Sequence, residues 1–155
     1  RGKMLIRTHL AFIVLALILF VPHVDNNLIF IFVALIATML PDIDSAGSTI
    51  GHHRIFDLFR FFIHHRGFIH SFTFCFLISV LLAVFWPVVA LPFFLGYGLH
   101  LFVDSFTQDG ISPFWPYKKR SSWKLRTGSL VETTLFLFLV LLDLFLFIIV
   151  FWKLF

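Results

Sequence analysis

Histidines and carboxylates recur at the ends of the apolar segments of this sequence, in patterns typical of metal ligands. His100 and Asp104 are four residues apart, so a helix places their imidazole and carboxylate on one face. Asp42 and Asp44 follow Pro41 directly. The complete set of predicted metal ligands is His9, Asp42, Asp44, His65, His70, His100, Asp104 and Glu132.

These donor types predict a divalent metal centre. Imidazole and carboxylate without thiolate favour zinc, with manganese or iron as alternatives. Cys75 is the single cysteine and lies in an apolar run, which excludes Cys-based zinc sites and disulfides. The number of candidates allows one or two ions. A metal-activated water is the expected nucleophile, with Asp44 or Glu132 as its general base.

Four of the candidates also have a purely structural alternative. His9 could be a hydrogen-bonded residue at a helix end, and Asp42 with Asp44 could form a capping turn after the proline. Glu132 could interact with the positive end of the last helix dipole. Asp143, deep in the last apolar segment, has no charged neighbour in sequence and is assigned no role.

Three further polar residues are predicted to bind substrate: Arg66, Ser71 and Arg126. A guanidinium group is a planar fork that suits a phosphate. The alternative is that these residues hydrogen-bond the ligand carboxylates instead.

Composition places the whole chain in a membrane. Hydrophobic residues make up 60% of its 155 residues and charged residues only 13%, against about a quarter in soluble domains. We therefore expect a single transmembrane domain over residues 1–155, all-α, a bundle of about five transmembrane helices. The expected spans are about Leu5–Val21, Leu28–Leu40, Phe68–Trp86, Val88–Phe106 and Leu130–Trp152, with an interfacial helix inside the loop Asp42–Gly67.

Loop charges predict the orientation of this bundle. Lys and Arg fall in the N-terminal segment and the two long loops, whereas the turns at Pro22–Asn27 and Pro87 have none. The positive-inside rule then places the N-terminus and both long loops in the cytoplasm. No small-x-small cleavage site follows Val21, so the first segment is expected to be retained. All predicted ligands thus lie at the cytoplasmic face of a multi-pass membrane protein.

Several strings of the sequence together resemble one family. They are Leu40-Pro41-Asp42-Ile43-Asp44, His65-Arg66-Gly67-Phe68-Ile69-His70-Ser71, Gly96-Tyr97-Gly98-Leu99-His100-Leu101-Phe102-Val103-Asp104, Thr107, Gly110, Trp115-Pro116 and Gly128-Ser129-Leu130-Val131-Glu132. The chain resembles the YdjM/YbcI type of bacterial inner-membrane protein, described as membrane-bound, metal-dependent hydrolases. The resemblance runs from His9 to Glu132 and implies the same activity here. Ile69 stands where that family commonly has Thr.

The function predicted from these observations is a membrane-bound metal-dependent hydrolase that acts on a lipid or phosphoester substrate at the cytoplasmic interface. A non-enzymatic metal-binding transporter or an adaptor remains the alternative. The sequence shows no inverted repeat, which argues against a transporter. The basic cluster Lys118–Arg126 indicates contact with anionic membrane lipids, and nucleic acid is not an expected partner. The sequence specifies no protein partner.

Overall fold

Five helices account for most of the part of the chain that the structure describes. The computed structural model describes residues 5–46, 66–117, 119–123 and 125–154, with the backbone alone at 43–46, 66–67, 151 and 153–154. The helices are α1 (Ile6–Phe20), α2 (Asn27–Ala46), α3 (Phe72–Phe85), α4 (Pro87–Asp104) and α5 (Leu130–Leu154). Single helical turns occur at Val21–His23 and Arg66–Ile69. The predicted all-α membrane class is confirmed.

Fewer helices are long enough to span a membrane than the sequence suggested. Three described segments qualify by length and composition, Ile6–His23, Pro87–Asp104 and Leu130–Val150. Asn27–Asp42 and Phe72–Phe85 are apolar but shorter, so the expected count of about five spans was high. The 14-residue α3 is only about 21 Å long, against a hydrocarbon core of about 30 Å. The predicted interfacial helix lies outside the described residues.

Helix α4 forms the centre of the bundle and packs against α1, α2 and α3. Small residues bring α2 and α4 close together, because a Cβ at Gly96 would overlap the carbonyl oxygen of Ala34. Thr38 donates to both carbonyl oxygens at this crossing, to Ala34 O at 2.8 Å and to Gly96 O at 3.3 Å. This crossing fixes the last turns of α2 beside the last turns of α4.

Two interior prolines do not end their helices. Helix α2 continues through Pro41 to Ala46, and α4 contains Pro92. Proline is tolerated in membrane helices where neighbouring groups satisfy the freed carbonyl. Because α2 continues past its proline, Asp42 projects from a helix rather than from a capping turn.

Helix α5 packs mainly against α1, and the two helices begin at the same end of the bundle. The Glu132 carboxylate, in the first turn of α5, accepts a hydrogen bond from the Leu5 backbone N–H at the start of α1. The α4–α5 connection folds back under this end through paired backbone bonds between Ile111 and Ser121. A Cβ at Gly110, with φ +57°, would overlap Ser121, so this connection requires glycine there.

Candidate metal centre

Five predicted ligands come from helix ends that meet at one end of the bundle. His9 lies in the first turns of α1, and Asp42 lies near the end of α2. His70 immediately precedes Ser71, the N-cap of α3. His100 and Asp104 occupy the last two turns of α4. The structure therefore brings together residues that are up to 95 positions apart in sequence, His9 and Asp104.

The Asp104 carboxylate approaches the Nε2 atoms of two imidazoles, those of His9 and His100. Its Oδ1 is 3.4 Å from His9 Nε2, and its Oδ2 is 3.5 Å from His100 Nε2. The two rings are stacked, with centroids 4.2 Å apart and planes 10° from parallel. Asp42 approaches from α2, with its Oδ2 3.9 Å from His100 Nε2. The His70 ring centroid is 6.4 Å from that of His100.

These separations match those between ligands of one ion. His9, Asp42 and His100 form one group whose ligand atoms all lie within 4.8 Å of one another, and His70, His100 and Asp104 form a second. Two ligands at 2.0–2.1 Å from a tetrahedral zinc lie about 3.3 Å apart. His100 belongs to both groups, and because one imidazole nitrogen binds a single ion, a second ion would need a bridging carboxylate such as Asp104.

Burial adds a second argument for an ion. His9 and His100 are each 2% exposed and Asp104 is 4% exposed. Within the described residues, neither ring nitrogen of the two histidines has a hydrogen-bond partner, nor does Asp104 Oδ1. A buried polar group without a partner costs about 1–3 kcal/mol. A divalent cation would take one ring nitrogen from each histidine together with the Asp104 oxygen, so these residues fit a metal ion.

Three predicted site residues have no described side chain. Asp44 lies in the last turn of α2 and Arg66 begins the helical turn at Arg66–Ile69, but only their backbone is described. His65 lies outside the described residues. Their proposed roles stay predictions.

Glu132 lies outside both ligand groups and binds backbone donors instead. It is 1% exposed, and it accepts hydrogen bonds from Leu5 N at 2.7 Å, Thr8 Oγ1 at 3.3 Å and Gly128 N. The carboxylate therefore satisfies free N–H groups at the start of α1 and in the turn before α5. Since Thr8 precedes His9, this contact fixes the rotation of α1 that directs His9 toward α4.

The other two predicted substrate contacts have different environments. The buried Ser71 hydroxyl caps α3 by accepting from Phe74 N at 3.2 Å, and it donates to Phe68 O. Its proton and one of its two acceptor sites are thus used within the fold. Arg126 is exposed and lines a small crevice with Thr107 and Glu132.

Thr8 is a site residue that the sequence analysis missed. It is fully buried and hydrogen-bonded to Glu132. The available signal was a hydroxyl next to a candidate ligand at the start of an apolar run, which is too common a pattern to single out.

Replacing Glu132 with Ala is expected to destabilise the protein by about 3 kcal/mol, because three donors lose a buried, charged acceptor. Thermal unfolding in detergent measures this loss. At a temperature where the variant is still folded, zinc should still bind through His70, His100 and Asp104, more weakly than in wild type because His9 is no longer held in place. A variant of wild-type stability that no longer binds zinc would instead make Glu132 a ligand.

The fold and the site define a class of protein: a membrane-embedded helical bundle with buried imidazoles and carboxylates at one end. A sequence model of the YdjM inner membrane protein family matches residues 4–154, nearly the whole chain, and the chain belongs to that family. No curated protein matches the chain. No solved structure matches it either.

Proposed function

We propose that this protein is a metal-dependent hydrolase of the inner membrane that cleaves a lipid or another phosphoester at the cytoplasmic surface. One observation carries the proposal. His9, His100 and Asp104 are buried without hydrogen bonds from described residues at their ring nitrogens and Oδ1, at the separations expected of ligands to one ion.

The ligand residues have separate tasks in this proposal. Asp104 lies 3.4 Å from the His9 Nε2 atom and 3.5 Å from the His100 Nε2 atom, so one ion could bind all three residues. Asp42 is the more open ligand, with a quarter of its side chain exposed, so substrate approaches from its side. A bound divalent ion lowers the pKa of a water and neutralises charge on a phosphoryl or acyl oxygen. Zinc fits these donors best, with manganese or iron as alternatives.

The proton and phosphate contacts come from residues around this opening. Asp44, two residues beyond Asp42 in α2, is the proposed general base, and Arg66 with Arg126 would hold an anionic phosphate. Glu132 positions α1 through Thr8 and is not needed as a base.

The proposed orientation places this end of the bundle in the cytoplasm. Arg7 lies at the start of α1, and Lys119, Arg120 and Arg126 lie in the α4–α5 connection at the same end as the centre. The connections at the other end, residues 21–26 and Trp86, contain no Lys or Arg. Lys153, near the far end of α5, is the one Lys or Arg that the described residues place at the other end. Such an excess of Lys and Arg on one side is typical of the cytoplasmic face of a multi-pass protein.

Removal of the metal tests the hydrolase proposal. Protein reconstituted in phospholipid vesicles and loaded with zinc is expected to hydrolyse a fluorogenic phosphodiester lipid to a fluorescent alcohol and a phosphomonoester. Chelator-treated protein should hydrolyse the lipid at least about 100-fold more slowly, and added zinc should restore the rate. Protein that binds zinc but cleaves no phosphoester would contradict the hydrolase proposal, and only metal binding would remain.

A further inference from the structure

A groove runs between α1 and α5 on the side of α1 that faces away from the metal centre. Its volume is about 420 Å³, within the range of small-molecule sites. The walls are mostly apolar and include Leu10, Val14, Phe136 and Val140. Two charged side chains also line it, Arg7 and Asp143.

The two charges lie at different depths in the membrane. Arg7 is at the open end, where its guanidinium donates to Thr133 Oγ1 at 3.3 Å and lies 5.2 Å from the Phe136 ring centroid. Asp143 is ten residues further along α5 than Thr133, which corresponds to about 15 Å of helix. Asp143 therefore lies near the middle of a hydrocarbon core about 30 Å thick.

The environment of Asp143 points to a ligand. The residue is 7% exposed, and its Oδ1 accepts no hydrogen bond from any residue that the structure describes. An ionisable residue at this depth is costly unless a donor reaches it. The metal centre does not use it, because the centre lies on the other face of α1 at the end of the bundle.

We infer that the α1/α5 groove binds a single-chain lipid whose anionic head group lies at Arg7 and whose chain presents a hydroxyl group to Asp143. The arrangement of cation, apolar wall and buried acceptor matches the head group, chain and mid-chain hydroxyl of such a lipid. A second helix packed on the groove is the competing occupant, and it would make the protein a dimer.

Binding of 12-hydroxystearate and stearate to the purified protein in detergent tests this inference. In an extended chain the 12-hydroxyl lies about 14 Å from the carboxylate, close to the separation of Arg7 and Asp143 along the groove. Wild-type protein is expected to bind 12-hydroxystearate about tenfold more tightly than stearate, because one hydrogen bond to a charged acceptor changes affinity by about that factor. No hydrolysis or metal is measured, so this result is independent of the proposed activity.

Two variants separate the contributions of the two charges. Asp143→Leu should remove the tenfold preference while stearate still binds, and Arg7→Leu should weaken both ligands and keep the preference. Asp25→Leu, at an exposed turn on the other end of the bundle, is the matched control and should behave as wild type. Equal affinity of wild-type protein for the two acids would overturn the inference. So would a dimer that Asp143→Leu converts to a monomer, because the groove would then be a helix–helix interface.

Discussion

The double variant His100→Ala, Asp104→Ala is expected to bind zinc more than about 100-fold more weakly than wild type. His100 belongs to both ligand groups, and Asp104 contacts the imidazoles of both α1 and α4, so no three-ligand group survives the change. Even residues that only support ligands typically contribute 10–100-fold to metal affinity. Competition with a fluorescent zinc chelator measures the loss directly.

Misfolding is not expected to confuse this experiment. Without metal, the variant loses buried polar atoms that lack hydrogen-bond partners among the described residues, but it also gains a cavity, so zinc affinity is compared at a temperature where both proteins are folded. The matched control is His23→Ala, Asp25→Ala, which changes the same residue types at the opposite end, where both are exposed. A double variant at the centre that retains wild-type zinc affinity would show that these residues are not the ligands.

A single methyl group at Gly96 is expected to destabilise the protein by about 1–3 kcal/mol or more. The added Cβ in Gly96→Ala would overlap the Ala34 carbonyl, and backbone cannot move aside as a flexible side chain can. Helices α2 and α4 would separate, and Asp42 would move away from His100. The variant should therefore show a lower unfolding temperature in detergent and weaker zinc binding together.

Gly98→Ala provides the matched control for this effect. It lies two residues away on the same helix, and a Cβ there would meet Cys75 Sγ at 3.9 Å, an ordinary van der Waals contact. Its stability should equal or exceed that of wild type, because alanine favours a helix over glycine by roughly 0.5–1 kcal/mol. Similar unfolding temperatures for the two variants would contradict the close α2–α4 crossing.

Much of the fold followed from hydropathy, because apolar runs in lipid must form helices. Each of the five helices overlaps the segment predicted for it. The pairing of His100 with Asp104 was also predictable, since it depends only on the helical period. The number of full spans was not, because apolar runs of 14 to 16 residues fit either a short membrane helix or a full crossing.

Contacts between helices were beyond the sequence. The stacking of His9 on His100 depends on the rotation of α1, which is set by the distant Glu132 through Thr8. The same contact explains why Glu132 resembled a ligand in the sequence, although its carboxylate binds the start of another helix. A carboxylate at a helix start supports either interpretation until its donors are known.

The metal content of the purified protein tests the central claim most directly. Elemental analysis of folded protein after dialysis is expected to find one or two zinc, manganese or iron ions per chain. X-ray absorption at the edge of that metal should detect imidazole nitrogen and carboxylate oxygen at about 2.0–2.2 Å, with no sulfur. A folded preparation that contains no such metal, and takes up none from added zinc, would contradict the metal centre.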